Sequence, residues 1–384
     1  AADWYAVGVM LYECLSGLLP FRGKVSELMA IKRVRDAPDI AGVVYGVPDE
    51  LQQLCMQLLD RDPMRRPSDE AMLAAFGEPL ASARIRQAPF VGRNRELGRL
   101  HAALHDVRTQ ARAVVVRISG ASGLGKSTLV RRFYDELADS QVTVLHSRCV
   151  ERESVPYKGL DGIIDVLTGT IRRLGLREVA SLRPRRPGDL EPIFPMLGTL
   201  WPGSSSAPLV EPSLRRQRGI AALREVLARL GERRRLIVTI DDFQWADTDS
   251  AQVLQELLAP PDPPALLLIL GYATRSVAKG ALELLGHEDA FVELDVHDLE
   301  LEPLTSAESS ELLDLLTAES PLSGPQRREL LARSSGSPLL LEQLTRSDVD
   351  VPPGETADRV ILRRVLELPR AARRFVELIA VNSA

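Results

Sequence analysis

The sequence predicts an α/β protein in which a parallel sheet is buried between helices, with all-α segments before and after it. Three observations lead there. Short apolar runs recur at 113–118 (AVVVRI), 142–145 (VTVL), 235–240 (RLIVTI) and 265–270 (ALLLIL). These runs are apolar throughout instead of alternating in polarity, as strands covered on both faces must be. Stretches with helical spacing separate them, such as Ile220, Leu223, Leu227 and Leu230, and strands alternating with helices indicate a parallel sheet.

The elements follow in order. Residues 1–79 read as helices with breaks at proline: Leu51, Leu54, Leu58 and Leu59 share one helical face, and a helix starts after Pro67 with Ser68 as its cap. Residues 80–89 form a polar connector. From Phe90, FVGRNREL leads into a helix carrying Leu97, Leu100, Leu104 and Val107 on one face. The strand at 113–118 breaks into a Gly-rich loop, and a new helix starts at Lys126. The helix through Leu230 ends at Gly231, while 201–212 and 259–264 are loops by composition. FVELDV (291–296) reads as a half-buried strand, and Thr305 with Glu308 as a capping box that opens a helical region running to the end. No internal repeat is evident.

Composition narrows the function classes. The 384 residues suffice for two or three domains, and 45% hydrophobic with 26% charged residues is ordinary for a globular protein. A net charge of -5 and 4% aromatics argue against nucleic acid as a partner. The three cysteines, Cys14, Cys55 and Cys149, lie far apart and read as reduced thiols, which points to a cytoplasmic setting. The apolar run from Trp4 to Leu19 contains Glu13 and falls short of the ~20 residues a bilayer requires, so it reads as a buried core helix and no membrane is expected. The chain opens on DWYAVGVMLYECLSGLLPFRG without an initiator methionine, as if in the middle of a longer protein.

The sharpest chemical signal is SGASGLGKST, residues 119–128. It fits G-x-x-x-x-G-K-[ST] through Gly120, Gly125, Lys126 and Ser127, between an expected strand and an expected helix. Glycines, Gly123 among them, let successive backbone N–H groups turn toward phosphate oxygens, and the helix behind them, opening on Lys126, Ser127 and Thr128, points its positive end at the same anion. Lys126 reaches the β- and γ-phosphates, and the Ser127 hydroxyl holds Mg²⁺. Asp241 and Asp242 end the apolar strand 235–240, where ligands of α/β sheets gather. Asp241 suits an acid that holds Mg²⁺ through water, and Asp242 would orient or deprotonate the attacking water. Paired aspartates after a strand also serve as helix caps, and that reading stays beside the other.

FVGRNREL, GASGLGKST, IDDFQWAD, LILGYATR and GSPLLLEQL occur in this order. Together they resemble a STAND-type signal-transduction ATPase, a branch of the AAA+ P-loop proteins, over residues 90–384. The resemblance implies a P-loop NTPase three-layer sandwich at 90–300, a helical lid at 301–348 and the start of a winged-helix-like domain at 349–384. It implies that Val91 and Gly92 line an adenine pocket, that Arg275 senses the γ-phosphate, and that Gly336 and Pro338 form a turn closing over the adenine. Arg275 departs from the usual motif by following Tyr272-Ala273-Thr274 instead of a Thr-Tyr pair. CVERESVPYKGLDGIIDVL and IFPML further resemble the ATPase module that follows the kinase domain in certain bacterial signalling proteins; the residues themselves give no reason for that form.

The opening stretch and LLDRDPMRRPS resemble the late catalytic lobe of a bacterial serine/threonine kinase, in which Asp3 would brace the catalytic loop and Arg66 pair with a glutamate. The Gly-rich lid, strand lysine, HRD loop and DFG aspartate of a kinase are missing here, so residues 1–79 read as a partial C-lobe without kinase chemistry. His101 and His105 at i, i+4 lack a third zinc ligand and read as a solvated or packing pair. Trp245 reads equally as a nucleotide contact or a packing residue. The expectation is therefore a switch that binds ATP with Mg²⁺, hydrolyses it slowly, and acts on neighbouring kinase and downstream domains; self-association stays open. A non-hydrolysing nucleotide-bound scaffold and an ATP-dependent transcriptional regulator are the alternatives.

Overall fold

The computed structural model describes residues 2–21, 35–44, 47–62, 65–67, 72, 89–137, 141–151, 157–202, 211–274, 281–286, 291, 294–318, 322–345, 357–368, 373 and 376. Two compact units divide the chain, Ala1–Ala88 and Pro89–Ala384.

In the first unit, α1 (Ala2–Ser16) packs on α2 (Asp49–Leu58). Gly8 makes the approach possible, because a Cβ there would lie 2.8 Å from the Leu58 Cβ. Tyr12, Ala37, Ile40, Cys55 and Leu59 form the core, and burial pushes the Cys55 thiol up to about 11. The run expected to be a buried helix is buried only in part: Gly8 and Tyr12 are covered, whereas Leu18 and Leu19 lie exposed beyond the helix end. Arg66 stacks over the Tyr5 ring at 4.9 Å and donates from Nε to the Asp60 carbonyl at 2.8 Å. Ser68 and residues 80–88 of the connector lie outside the described residues.

In the second unit, α3 (Asn94–Gln110) precedes β1 (Val114–Gly120), α4 (Lys126–Glu136) and β2 (Val142–Arg148). Next come α5 (Lys158–Arg172), α6 (Leu176–Ser181), α7 (Pro195–Gly198), α8 (Pro212–Gly231) and β3 (Arg235–Asp241). Then follow α9 (Thr248–Leu258), β4 (Leu267–Ala273), α10 (Ala281–Gly286) and β5 (Asp295–Glu300). The five strands are parallel in the order β2-β3-β4-β1-β5, and the period of two sorts their side chains into two cores. Val114, Val116, Ile118, Ile237, Leu267 and Ile269 pack with α3 and α4; Val115, Val238, Ile240, Leu268 and Leu270 pack with α5, α8 and α9. The result is a three-layer α/β sandwich.

Uniform burial holds for the inner strands β1, β3 and β4, each with a run of five or six consecutive buried residues. The outer strand β2 alternates instead, because one of its edges and part of one face meet solvent. The expected strand at 291–296 is displaced: β5 occupies Asp295–Glu300, and Phe291 is a buried core residue before it. An edge strand reading DVHDLE carries charge at alternate positions and escapes a search for apolar runs.

After the sheet, α11 (Ser306–Leu316) opens on the expected capping box of Thr305 and Glu308. It is followed by α12 (Gly324–Ser334), α13 (Pro338–Thr345) and α14 (Ala357–Glu367). Leu304, Leu312, Leu313 and Leu341 cluster around Val91. Beyond residue 349, only 357–368, 373 and 376 are described.

Two segments quoted from the sequence without a physical reason acquire one. Tyr157, in the left-handed conformation before α5, packs its ring against Phe194 of IFPML at 6.5 Å. Its backbone N–H donates to Asp247 Oδ1 at 3.1 Å, and Gly159 N–H donates to Oδ2 at 3.3 Å. Asp247 also accepts from Ser250 N–H at 2.9 Å and so caps α9 while holding the start of α5. Burial by itself would raise the Asp247 pKa, but the hydrogen bonds from Ser250, Gly159 and Tyr157 outweigh it and hold the carboxyl below its ordinary value. Such a depressed group stabilises the fold above its unfolded pKa and loses that contribution as pH falls through the folded value. Asp247→Asn should therefore cost about 1–2 kcal/mol near neutral pH. In urea titrations the gap to wild type should close as the solution is acidified below the Asp247 pKa; a gap that persists at low pH would contradict the capping role.

Candidate functional site

The loop 121–125 joins the end of β1 to α4. Gly123 (φ 82°) and Gly125 (φ 91°) adopt left-handed conformations that turn successive backbone N–H groups to one side. No side chain caps α4, so its first-turn N–H groups remain available to an anion. Lys126, the first residue of that helix, is 9% exposed. Its Nζ donates to the carbonyls of Gly120 (2.9 Å) and Ala121 (3.2 Å). Burial lowers its pKa, while the charges of Asp242 and Asp241 act in the opposite sense. An ammonium held only by neutral carbonyls at the mouth of an anion nest is well placed to engage a phosphate oxygen.

Asp241 ends β3, is buried, and accepts the Ser127 hydroxyl on Oδ2 at 2.5 Å. β4 lies between β1 and β3, so something on β4 must let the two groups meet. Gly271 does so: a Cβ there would stand 2.8 Å from Asp241 Oδ1. Lys126, Ser127, Asp241, Gly271, His146 and Arg148 are among the residues that line one cavity of about 380 Å³ within the roughly 300–1,000 Å³ range of small-molecule sites.

Asp242 follows at φ 52° and ψ 39° and is bonded to Arg148 of the cavity lining. Its Oδ2 accepts from Arg148 Nε at 2.6 Å and its Oδ1 from Gln244 Nε2 at 3.2 Å. The hydrogen bond to Asp242 raises the Arg148 pKa. The Gln244 Oε1 accepts from Ala273 N–H at 3.1 Å, which fixes the ends of β3 and β4 to each other.

The helical region touches the loop directly. Leu339 N–H, in the first turn of α13, donates to the Gly123 carbonyl at 3.2 Å, and the Ser337 hydroxyl donates to the same oxygen at 3.4 Å. Gly336 (φ 75°) lets the preceding turn press against Leu304, whose N–H donates to the Gly336 carbonyl at 2.8 Å. Arg93 closes the ring of contacts, donating from Nη2 to the carbonyls of Glu302 (2.5 Å) and Leu124 (3.5 Å).

Lys126, Ser127 and Asp241 thus come together, with Gly120, Gly123, Gly125 and Thr128 in the loop and first helical turn. Pro338 stands one residue before the Leu339 contact and does not line the cavity. Gly92 faces the Glu308 side chain, and Val91 is buried among Leu304, Leu312, Leu313 and Leu341. Arg275 lies outside the described residues. His101 pairs with Glu136 (2.9 Å) and stands edge-on to Phe133; Trp245 is exposed. Arg93, Arg148, Gln244 and Gly271 were not singled out from the sequence. The position of Arg148 at the end of an apolar run, matching Asp241 on the neighbouring run, was the available signal.

Residues 89–270 match the family model described as an AAA ATPase domain. Protein kinase PINOID 2 of rice is 32% identical over 97 residues, which is 23% of this chain and 18% of that protein. The serine/threonine-protein kinase PknL of Mycobacterium tuberculosis is 35% identical over 81 residues, 21% of this chain and 20% of that protein. The chain therefore spans only a small part of the length of these relatives. Among solved structures, the Walker-type ATPase of Pyrococcus abyssi is 17% identical with a TM-score of 0.41, and each chain is covered to 77%. The STAND protein with a tetratricopeptide repeat sensor from Pyrococcus horikoshii is 16% identical with a TM-score of 0.40, over 75% of this chain and 35% of that one.

The contact between loop and α13 can be tested without any ligand. In Gly123→Val, the side chain would meet Leu339 Cβ near 3.1 Å from a backbone already at positive φ, a conformation costing an L-residue about 1–2 kcal/mol. Hydrogen exchange should then speed up at residues 338–345 while β1, β3 and β4 keep their protection. Unchanged protection of Leu339 would contradict the contact.

Proposed function

We propose that this chain binds ATP with Mg²⁺ through its AAA-type ATPase domain and hydrolyses it slowly, as a nucleotide switch of the STAND kind. The convergence of Lys126, Ser127 and Asp241 on one cavity beside an uncapped helix start is the observation that carries the reading. The donor set fits: backbone N–H groups and one ammonium for phosphate oxygens, and a hydroxyl with a carboxylate for a hard divalent cation.

Bound ATP supplies the phosphoryl group and Mg²⁺ neutralises its charge; the chain's own residues bind, orient and accept a proton. Lys126 leaves the Gly120 and Ala121 carbonyls for the phosphate chain. Ser127 and Asp241 hold the cation. Asp242 is the acceptor for a proton from water, and it must first part from Arg148. Because the Gly123 carbonyl is bonded to the start of α13, a ligand that reshapes the loop also acts on the lid. We assign residues 90–300 to the ATPase core, 301–348 to the lid and 349–384 to the start of a winged-helix-like domain.

The short kinase matches and the helical opening segment support a setting next to a serine/threonine kinase domain, of which residues 1–79 would be the end. The lid would then transmit the nucleotide state to that domain and to segments downstream. One observation favours a second reading, a nucleotide-bound scaffold without turnover: the carboxylate expected to serve water is engaged by Arg148 at 2.6 Å.

The test is nucleotide affinity and turnover of the full chain. Lys126→Ala should weaken ATP binding about tenfold or more through loss of a charge-assisted hydrogen bond, and equal affinity in both would overturn the proposal. Asp242→Asn should abolish turnover and spare binding. Tight binding without measurable turnover in wild type would decide for the scaffold.

A further inference from the structure

We propose that Asp106, Asp295 and His297 form a binding site for a divalent transition-metal ion, separate from the nucleotide cavity. Asp295 pairs with Val114 and His297 with Val116 in the β1–β5 register, at the start of β1, whereas the phosphate loop leaves the sheet after Gly120. Six residues of strand, about 20 Å at the usual rise, separate the two places.

The side-chain period brings the three residues to one side. Asp295, His297 and Leu299 alternate onto the same face of β5. Leu299 is buried in the cluster that contains Leu97, Leu100, Leu104 and Val107 of α3, so this is the face that α3 covers. Asp106 precedes Val107 in the last turns of α3. One ligand-capable atom from each of the three residues lies within 4.8 Å of the other two.

The histidine supplies a second, independent observation. His297 Nε2 is shielded from solvent and makes no hydrogen bond. Asp295 Oδ2 stands 3.3 Å from it. The ring as a whole is 31% exposed and the Asp295 carboxylate faces it as an ion-pair partner, so a cation seated among the three residues would take over that pairing.

The donor set selects the class of ion. Two carboxylates and one imidazole match the three protein ligands, with a position left for water, that zinc and its neighbours accept. Ca²⁺ and Mg²⁺ prefer oxygen alone, and the imidazole counts against them. A dication would neutralise the two carboxylates and tie the last turns of α3 to the edge strand β5. It would thereby support the helix that begins immediately after Val91, Gly92 and Arg93.

The experiment uses the full chain, stripped with a chelator and carrying Cys14→Ser to remove its exposed thiol. Zn²⁺ alone is titrated against a chromophoric competitor, and Co²⁺ is substituted for its ligand-field spectrum. The expected result is about one ion per chain, with affinity reduced at least about tenfold by either Asp106→Asn or His297→Gln. Lys126→Ala, which disables the nucleotide site, should leave Zn²⁺ binding unchanged, so the two proposals fail independently. Zn²⁺ should also raise the melting temperature of the parent chain and not that of Asp106→Asn. Absence of stoichiometric binding, or binding indifferent to Asp106→Asn, would overturn the proposal and leave His297 and Asp295 as a simple ion pair.

Discussion

The hydrogen bond from Ser127 to Asp241 connects the helix after β1 with the end of β3, two strands that are not neighbours. Everything else at the site is arranged so that this contact exists. β4 lies between the two strands and must offer no side chain where the groups meet, which is the role of Gly271. The loop before Ser127 must turn tightly enough to start α4 at Lys126, hence left-handed glycines at 123 and 125. Asp241 must be held at the sheet's end, and its own carbonyl is bonded to Cys149 N–H beyond β2 at 3.0 Å. A hydroxyl and a carboxylate are also the kind of oxygen donors that a hard cation prefers.

Around this contact the fold combines large apolar cores with a smaller, separate one. Two apolar cores clamp the inner strands from both faces, and Asp247 fixes the starts of α5 and α9 together. The helical region has a smaller core of its own, built on Val91 and Leu304, and reaches the loop through a few hydrogen bonds to one carbonyl. Contacts of that kind break at modest cost, about 0.5–1.5 kcal/mol each. The sheet is thus held by two apolar cores, and α13 and the preceding Ser337 meet the loop through two hydrogen bonds to the Gly123 carbonyl.

Much of this was legible from the residues. Apolar runs located four of the five strands because inner parallel strands must be apolar on both faces, and the loop was legible because its glycines are demanded by backbone geometry. β5 was misplaced because an edge strand need not be apolar, and charge alternation in DVHDLE hides it. Val91 is expected to line an adenine pocket, and its side chain packs with Leu304, Leu312, Leu313 and Leu341. Arg148, Gln244 and Gly271 were missed for a common reason. Each acts through a partner on another strand, and only the strand order and register bring the pair together.

The claim that Ser127 and Asp241 share one magnesium ion is tested most directly by the Mg²⁺ dependence of ATP affinity. Shared coordination predicts that Mg²⁺ tightens ATP binding in wild type and that Asp241→Asn removes this enhancement while metal-free binding persists. The same Mg²⁺ enhancement in Asp241→Asn as in wild type would contradict it.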